Sequence, residues 1–266
     1  MNTVGFPGLD FEFTLNEIAF PLPFGSGGIR WYALIIMTGI LLGMFVALKE
    51  TKRIGASTDH VYNMILWCIP SAIVGARLYY VLFSLEEYKD NWLSVFYIWE
   101  GGIAIYGAVL TALLVVFLYC RKNKLSVWEY LDIGSYGFLI GQCIGRWGNF
   151  VNAEAFGEET SLPWRMLVNG RCVHPTFLYE SLWLLGVFLI IWLSRKKHHF
   201  AGRTVTMYMM GYGIGRFFIE GLRTDSLYLG NIRISQLVSI VLVVLGVWFY
   251  SRKSAAHKRK INDADM

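Results

Sequence analysis

The alternation of apolar and polar positions divides the chain into seven long apolar stretches separated by shorter polar segments. They lie at about 31–48, 61–84, 102–120, 131–150, 176–194, 204–222 and 233–250. Each is close to or above the ~18 residues that cross a bilayer core as a helix. The pattern therefore predicts an all-α, polytopic integral membrane protein of about seven transmembrane helices. The third, fifth and seventh stretches are the cleanest. The fourth is the weakest, being Gly-rich and framed by Asp132 and Arg146. The segment 91–101, NWLSVFYIWEG, is aromatic but too short to cross, which predicts an interfacial or re-entrant piece. Residues 1–250 are read as one transmembrane domain, and the polar stretch 251–266 as a basic, disordered tail. No internal repeat is evident, which disfavours an inverted-repeat transporter.

Composition agrees. Hydrophobic residues make up 55% and charged residues only 16%, against roughly 25% charged in soluble domains. Mean hydropathy is +0.46. The 10 Trp and 15 Tyr suit rings seated at headgroup level. A pI near 9.0 could suggest nucleic acid, but the basic residues flank apolar spans instead of forming one surface. An anionic leaflet is the better partner for them. Cys68, Cys120, Cys143 and Cys172 are scattered without a CxxC pair, so neither a metal site nor a disulfide framework is expected. The first Lys or Arg is Arg30, so the charged segment that opens a cleavable signal peptide is missing.

The distribution of Lys and Arg orients the spans. One set of loops holds Lys49, Lys52, Arg53, Arg121, Lys122, Lys124, Arg195, Lys196, Lys197, Arg203, Arg252, Lys253, Lys258, Arg259 and Lys260, fifteen of the 24 basic residues. The opposite set holds Arg30, Lys89, Arg165, Arg171, Arg223 and Arg233. The bias puts the N-terminus outside and the C-terminus in the cytoplasm.

Arg77, Arg146 and Arg216 fall inside apolar spans. Each costs roughly 2.5–3.5 kcal/mol on insertion scales, so such residues face a bundle interior or a wet cavity. For Arg77, in GARLYY, snorkelling or pairing with a carboxylate stands level with a functional role. Arg146 and Asn149 would share a helix face at i, i+3, with Asn152 and Glu154 in the turn that follows. Arg216, Glu220 and Arg223 fall at i, i+4 and i+7, one continuous helical stripe. For Glu220 a plain salt bridge is the stronger reading. A guanidinium fork near a membrane face also grips phosphate through paired, charged hydrogen bonds. Two such arginines on two spans point to a phospholipid headgroup.

The stretch GRWGNFVNAEAFG (145–157) resembles the signature of the prolipoprotein diacylglyceryl transferases. The resemblance continues in Arg30-Trp-Tyr, GARLYY, Trp99-Glu-Gly-Gly, His174-Pro-Thr-Phe-Leu-Tyr-Glu180 and Gly215-Arg-Phe-Phe-Ile-Glu-Gly-Leu-Arg-Thr-Asp225, in family order and over nearly the whole chain. It implies a multi-pass enzyme of the bacterial cytoplasmic membrane that needs no metal or other cofactor. The implied reaction moves diacylglycerol from phosphatidylglycerol to the lipobox cysteine of a preprolipoprotein, and glycerol phosphate leaves. By resemblance, Arg146 and Arg216 are catalytic and neutralise the phosphate. Asn149, Glu154 and Tyr32 join them in binding the lipid.

One position departs from the family. In GGIAIYG, Tyr106 stands where many members have a histidine. A phenol starts near pKa 10 and an imidazole near 6.5, so Tyr106 is expected to donate a hydrogen bond, not to act as the base. His174 is the only histidine expected near the outer face, and its His-Pro-Thr setting reads first as a helix start. Two rival functions fit the pattern less well. A lipid or anion transporter would carry polar residues in both halves of the membrane, whereas here they gather in one. A structural scaffold leaves the buried arginines unexplained.

Overall fold

The computed structural model describes residues 2–21, 28–89, 91–196 and 200–264. Lys197, one of the basic residues that orient the spans, lies outside them. The chain divides into two compact units, Met1–Ala47 with Asp132–Met266, and Leu48–Leu131.

All seven predicted stretches are helices: α1 (Trp31–Ile54), α2 (Thr58–Phe83), α3 (Ile105–Lys122), α4 (Val127–Val151), α5 (Thr176–Ser194), α6 (Arg203–Glu220) and α7 (Ile234–Ala264). Five of them, α1, α2, α3, α5 and α7, are long and apolar enough to cross a membrane. In α4 and α6 the glycines and the charges Asp132, Arg146, Arg203, Arg216 and Glu220 lower the apolar content. The exposed faces of the helices are apolar, including Leu66, Phe83, Leu193 and Phe218.

Two expectations need correction. The stretch after Tyr250 is not disordered: α7 runs on to Ala264. Lys, Arg and Ala are good helix formers, and extending an existing helix avoids the cost of nucleation. The fold is also not purely helical. Strands β1 (Asn2–Phe6), β2 (Phe11–Leu15), β5 (Met166–Val168) and β6 (Arg171–Val173) make an antiparallel sheet in the order β2-β1-β5-β6. The pairs β3 (Ile18–Pro21) with β4 (Gly28–Arg30), and β7 (Tyr228–Leu229) with β8 (Ile232–Arg233), form two small ladders.

In the first unit, α5 buries Leu184, Val187, Phe188 and Ile191 on one face, against Tyr136 and Leu139 of α4. Their spacing follows the helical repeat. Between membrane helices close packing replaces the hydrophobic effect, so small residues set the approach. A Cβ on Gly43 of α1 would stand 2.5 Å from the Gly137 carbonyl oxygen of α4. Asp132 explains itself as a cap: its carboxylate accepts the backbone N–H of Gly202 and of Val205, each at 2.8 Å, at the start of α6. These are among the donors that a helix N-terminus leaves unpaired.

The sheet covers one end of α4 and α5. Val4, Met166, Val168, Val173 and Phe177 form its core, and Phe150 packs against them. The β5–β6 turn is Asn169-Gly170, with φ of 47° and 85°, the left-handed pair that a two-residue hairpin requires. Asn169 also ties the turn to β1, donating its N–H to the Thr3 carbonyl and accepting the Thr3 N–H on Oδ1.

In the second unit, α2 and α3 pack together and the aromatic segment between them forms two 3-10 turns, Trp92–Phe96 and Ile98–Glu100. Arg77 is buried and does not snorkel, and among the described residues it pairs with no carboxylate. Its guanidinium donates to the carbonyls of Ser94 (2.6 Å), Val95 (2.8 Å), Gly101 (2.7 Å) and Gly102 (2.9 Å). One side chain thereby holds a segment that has few backbone bonds of its own.

Candidate active site

The site begins where α4 ends. Arg146 and Asn149 share a face, as their spacing predicts, and Arg146 Nη1 donates to Asn149 Oδ1 at 3.4 Å. The Asn149 amide then donates to Glu154 Oε1 at 2.9 Å, and Asn152 reaches the same oxygen at 3.4 Å. The intervening turn carries two alanines in the left-handed region, Ala153 (φ 50°) and Ala155 (φ 57°). A side chain there costs roughly 1–2 kcal/mol, and strained turns of this kind collect at functional sites. Thr176 of α5 pins the turn by donating its hydroxyl to the Ala155 carbonyl at 2.5 Å. Tyr32, at the start of α1, lies against Gly148, where a Cβ would come within 2.7 Å of its ring. The absence of a side chain at 148 is what admits the tyrosine.

The residue that completes the site is Glu180, one turn into α5. It is 3% exposed. Its Oε1 accepts from Arg146 Nη2 at 2.5 Å and its Oε2 from Arg216 Nη1 at 3.3 Å. Arg216 in turn pairs with Glu220 through Nη2 at 2.5 Å. Six side chains from α4, its following turn, α5 and α6 thus form one connected chain: Glu154, Asn149, Arg146, Glu180, Arg216, Glu220. Isolated charges would cost several kcal/mol each in such surroundings, and pairing offsets that cost. The arginines are not sealed in, since their side chains are 22% and 14% exposed.

Glu180 is not among the site residues expected from the sequence. The available signal was a lone carboxylate inside an otherwise uncharged apolar span, which membrane helices tolerate only where it is used.

Other expected residues fall differently. The 216-220-223 stripe is broken, because α6 stops at Glu220 and the chain turns at Gly221. Glu220 keeps its bond to Arg216, as expected. Arg223 pairs with Asp225 through two hydrogen bonds, at 2.9 and 2.7 Å. Burial pushes the Asp225 carboxyl up, but the hydrogen bond and charge of Arg223 outweigh it and hold the carboxyl below its usual range.

His174 stands at the start of α5, just ahead of Pro175, which caps the helix. Its backbone joins a ladder, donating to the Glu158 carbonyl and accepting from Gly157 N–H, each at 3.0 Å. Its ring meets the Tyr179 hydroxyl at 3.3 Å, not the arginine–carboxylate chain. Arg77 and Tyr106 belong to the second unit. The Tyr106 ring lies 6.4 Å from that of Tyr79 and makes no hydrogen bond among the described residues. No group of His, Cys, Asp and Glu with metal-binding geometry occurs among the described residues.

Comparison with known proteins follows the same lines. The family model described as prolipoprotein diacylglyceryl transferase matches residues 17–252. A protein of Finegoldia magna named phosphatidylglycerol–prolipoprotein diacylglyceryl transferase is 44% identical, over 88% of this chain and 94% of its own. Proteins with the same name from Pediococcus pentosaceus (44% identical, 90% of this chain and 91% of that one) and Clostridioides difficile (40%, 94% and 100%) are similarly close. The chain therefore belongs to the prolipoprotein diacylglyceryl transferase family.

Proposed function

We propose that this protein transfers the diacylglyceryl group of phosphatidylglycerol to the lipobox cysteine of a preprolipoprotein, in the bacterial cytoplasmic membrane. The observation that carries this reading is the joining of Arg146 and Arg216, from two different helices, through one buried carboxylate. Two guanidiniums so close together can address one phosphate.

The cysteine reacts as thiolate, the form in which sulfur is nucleophilic. Its sulfur attacks the glycerol carbon that bears the phosphate. A C–S bond forms, the C–O bond breaks, and the electron pair leaves with the phosphate as glycerol phosphate. The leaving group gains a charge as the bond breaks. Arg146 and Arg216 would hold that charge, the kind of preorganised electrostatic contribution that weighs most in catalysis. Asn149 and Glu154 orient Arg146, and Tyr32 borders the same helix end and contacts the lipid.

In this reading all seven helices cross the membrane, with the N-terminus outside and the C-terminus in the cytoplasm. The lipid arrives laterally from the bilayer, and the acceptor is a polypeptide bearing a lipobox signal sequence. Residues 1–250 act as one transferase domain and 251–266 extend from it into the cytoplasm. The test is incubation of the purified protein with phosphatidylglycerol and a lipobox peptide. The expected product is a thioether-linked diacylglyceryl peptide with one glycerol phosphate per turnover; its absence with folded, lipid-bound protein would overturn the reading.

A further inference from the structure

We infer that Glu180 is a built-in counter-anion that competes with the phosphate for Arg146 and Arg216 and thereby sets the rate of product release. The inference rests on the reading that these arginines hold the phosphate. Glu180 places one oxygen on each guanidinium, at 2.5 and 3.3 Å. The two non-bridging oxygens of a phosphodiester would present charge to the same pair of donors. Other carboxylates of the site are not so placed: Glu220 touches Arg216, and Glu154 meets the asparagines.

Electrostatics gives this arrangement a purpose. The lipid phosphodiester carries one negative charge, and the departing glycerol phosphate carries an additional one. Without Glu180, Arg146 would keep no carboxylate partner among the described residues and Arg216 would keep only Glu220, so the site would hold its product more tightly than its substrate and would stall after each turnover. A carboxylate fixed on α5 is always present at high effective concentration. It re-forms its bonds to both arginines as the product leaves, and it keeps their charges paired in the empty site. Glu180 acts through the arginines and is a positioning residue, not a group that touches the reacting atoms.

The test is Glu180→Gln, which keeps the shape and removes the charge. With purified protein, phosphatidylglycerol and lipobox peptide, inhibition by added glycerol 1-phosphate should tighten about tenfold, the effect of removing one charged competitor for the arginines. KM for the lipid should fall, and kcat should fall with a burst of thioether product before a slow steady state. A merely structural role predicts weaker lipid binding and no tighter inhibition, and that result would overturn the inference. If Glu180→Gln does not accumulate, Glu180→Asp carries the test. Its carboxylate is one methylene shorter and reaches one arginine, so inhibition tighter than wild type is expected and unchanged inhibition overturns the proposal. The parent reading fails separately, if glycerol 1-phosphate does not inhibit the wild type or if Arg146→Lys leaves that inhibition unchanged. Inhibition that depends on Arg146 but not on Glu180 would remove only the counter-anion.

Discussion

At the scale of single residues, the shape of the guanidinium decides what Arg146 and Arg216 can do. Each addresses two partners at once: Asn149 and Glu180 for the first, Glu180 and Glu220 for the second. A lysine ammonium is a point charge and cannot reproduce a planar fork. Arg146→Lys and Arg216→Lys should each lower turnover by about 10²–10³, as does the loss of one contact at a developing charge; assays at matched protein level check this. Tyr106 poses a different question, because its hydroxyl has no hydrogen bond among the described residues. If the phenol donates during turnover, Tyr106→Phe should lower activity and Tyr106→His should keep much of it. An unchanged Phe variant would leave only packing against Tyr79. The Arg223–Asp225 pair lies outside the helices and should matter to stability. Its carboxyl titrates below the usual range in the folded protein, so its contribution is present at neutral pH and is lost as pH falls through that lowered pKa. Asp225→Asn should destabilise by about 0.2–1 kcal/mol near pH 7, as for exposed pairs, with the difference from wild type vanishing in acid. Thermal unfolding in detergent across pH measures it.

At the scale of elements, the site depends on how closely α1, α4, α5 and α6 approach one another. The α1–α4 contact is backbone to backbone at Gly43 and Gly137. Gly43→Val would force the helices apart or out of register, and overpacking of this kind costs about 1–3 kcal/mol. The expected result is a lower unfolding temperature in detergent with reduced activity, because the same helices carry Tyr32 and Arg146. A variant of wild-type stability would show that the two helices can slide freely. Arg77 is the corresponding device in the second unit. Its guanidinium donates to four backbone carbonyls, which accounts for the burial of an arginine there.

At the scale of the molecule, the helices of each unit expose apolar side chains, and the covered end of α4 and α5 bears a small sheet and the arginine–carboxylate chain. The bias of Lys and Arg predicts that the sheet end faces out of the cell. In intact cells, a single cysteine at Asn169, in the β5–β6 turn, should be labelled by an impermeant reagent, and one at Asn123, after α3, should not. The reverse pattern would invert the orientation and put the site on the cytoplasmic side.

The positions of all seven helices were legible in the chain itself, to within a few residues for most ends, because the length of an apolar run is a local property. So was the pairing of Arg146 with Asn149, which needs only the geometry of one helix. Arg216 with Glu220 is legible for the same reason, whereas Arg223 leaves the stripe because the helix stops at Glu220 and the chain turns at Gly221. What only the tertiary structure decided are the relations between distant segments. The sheet joins Val4 to Val168, and no periodicity in strands of three to five residues announces such a partner. The destination of Arg77, four carbonyls of an irregular segment, was equally out of reach. Glu180 meets arginines 34 positions before it and 36 after it. Its role follows from two helix crossings that bring three charges to one point, and a sequence lists charges without saying where they meet.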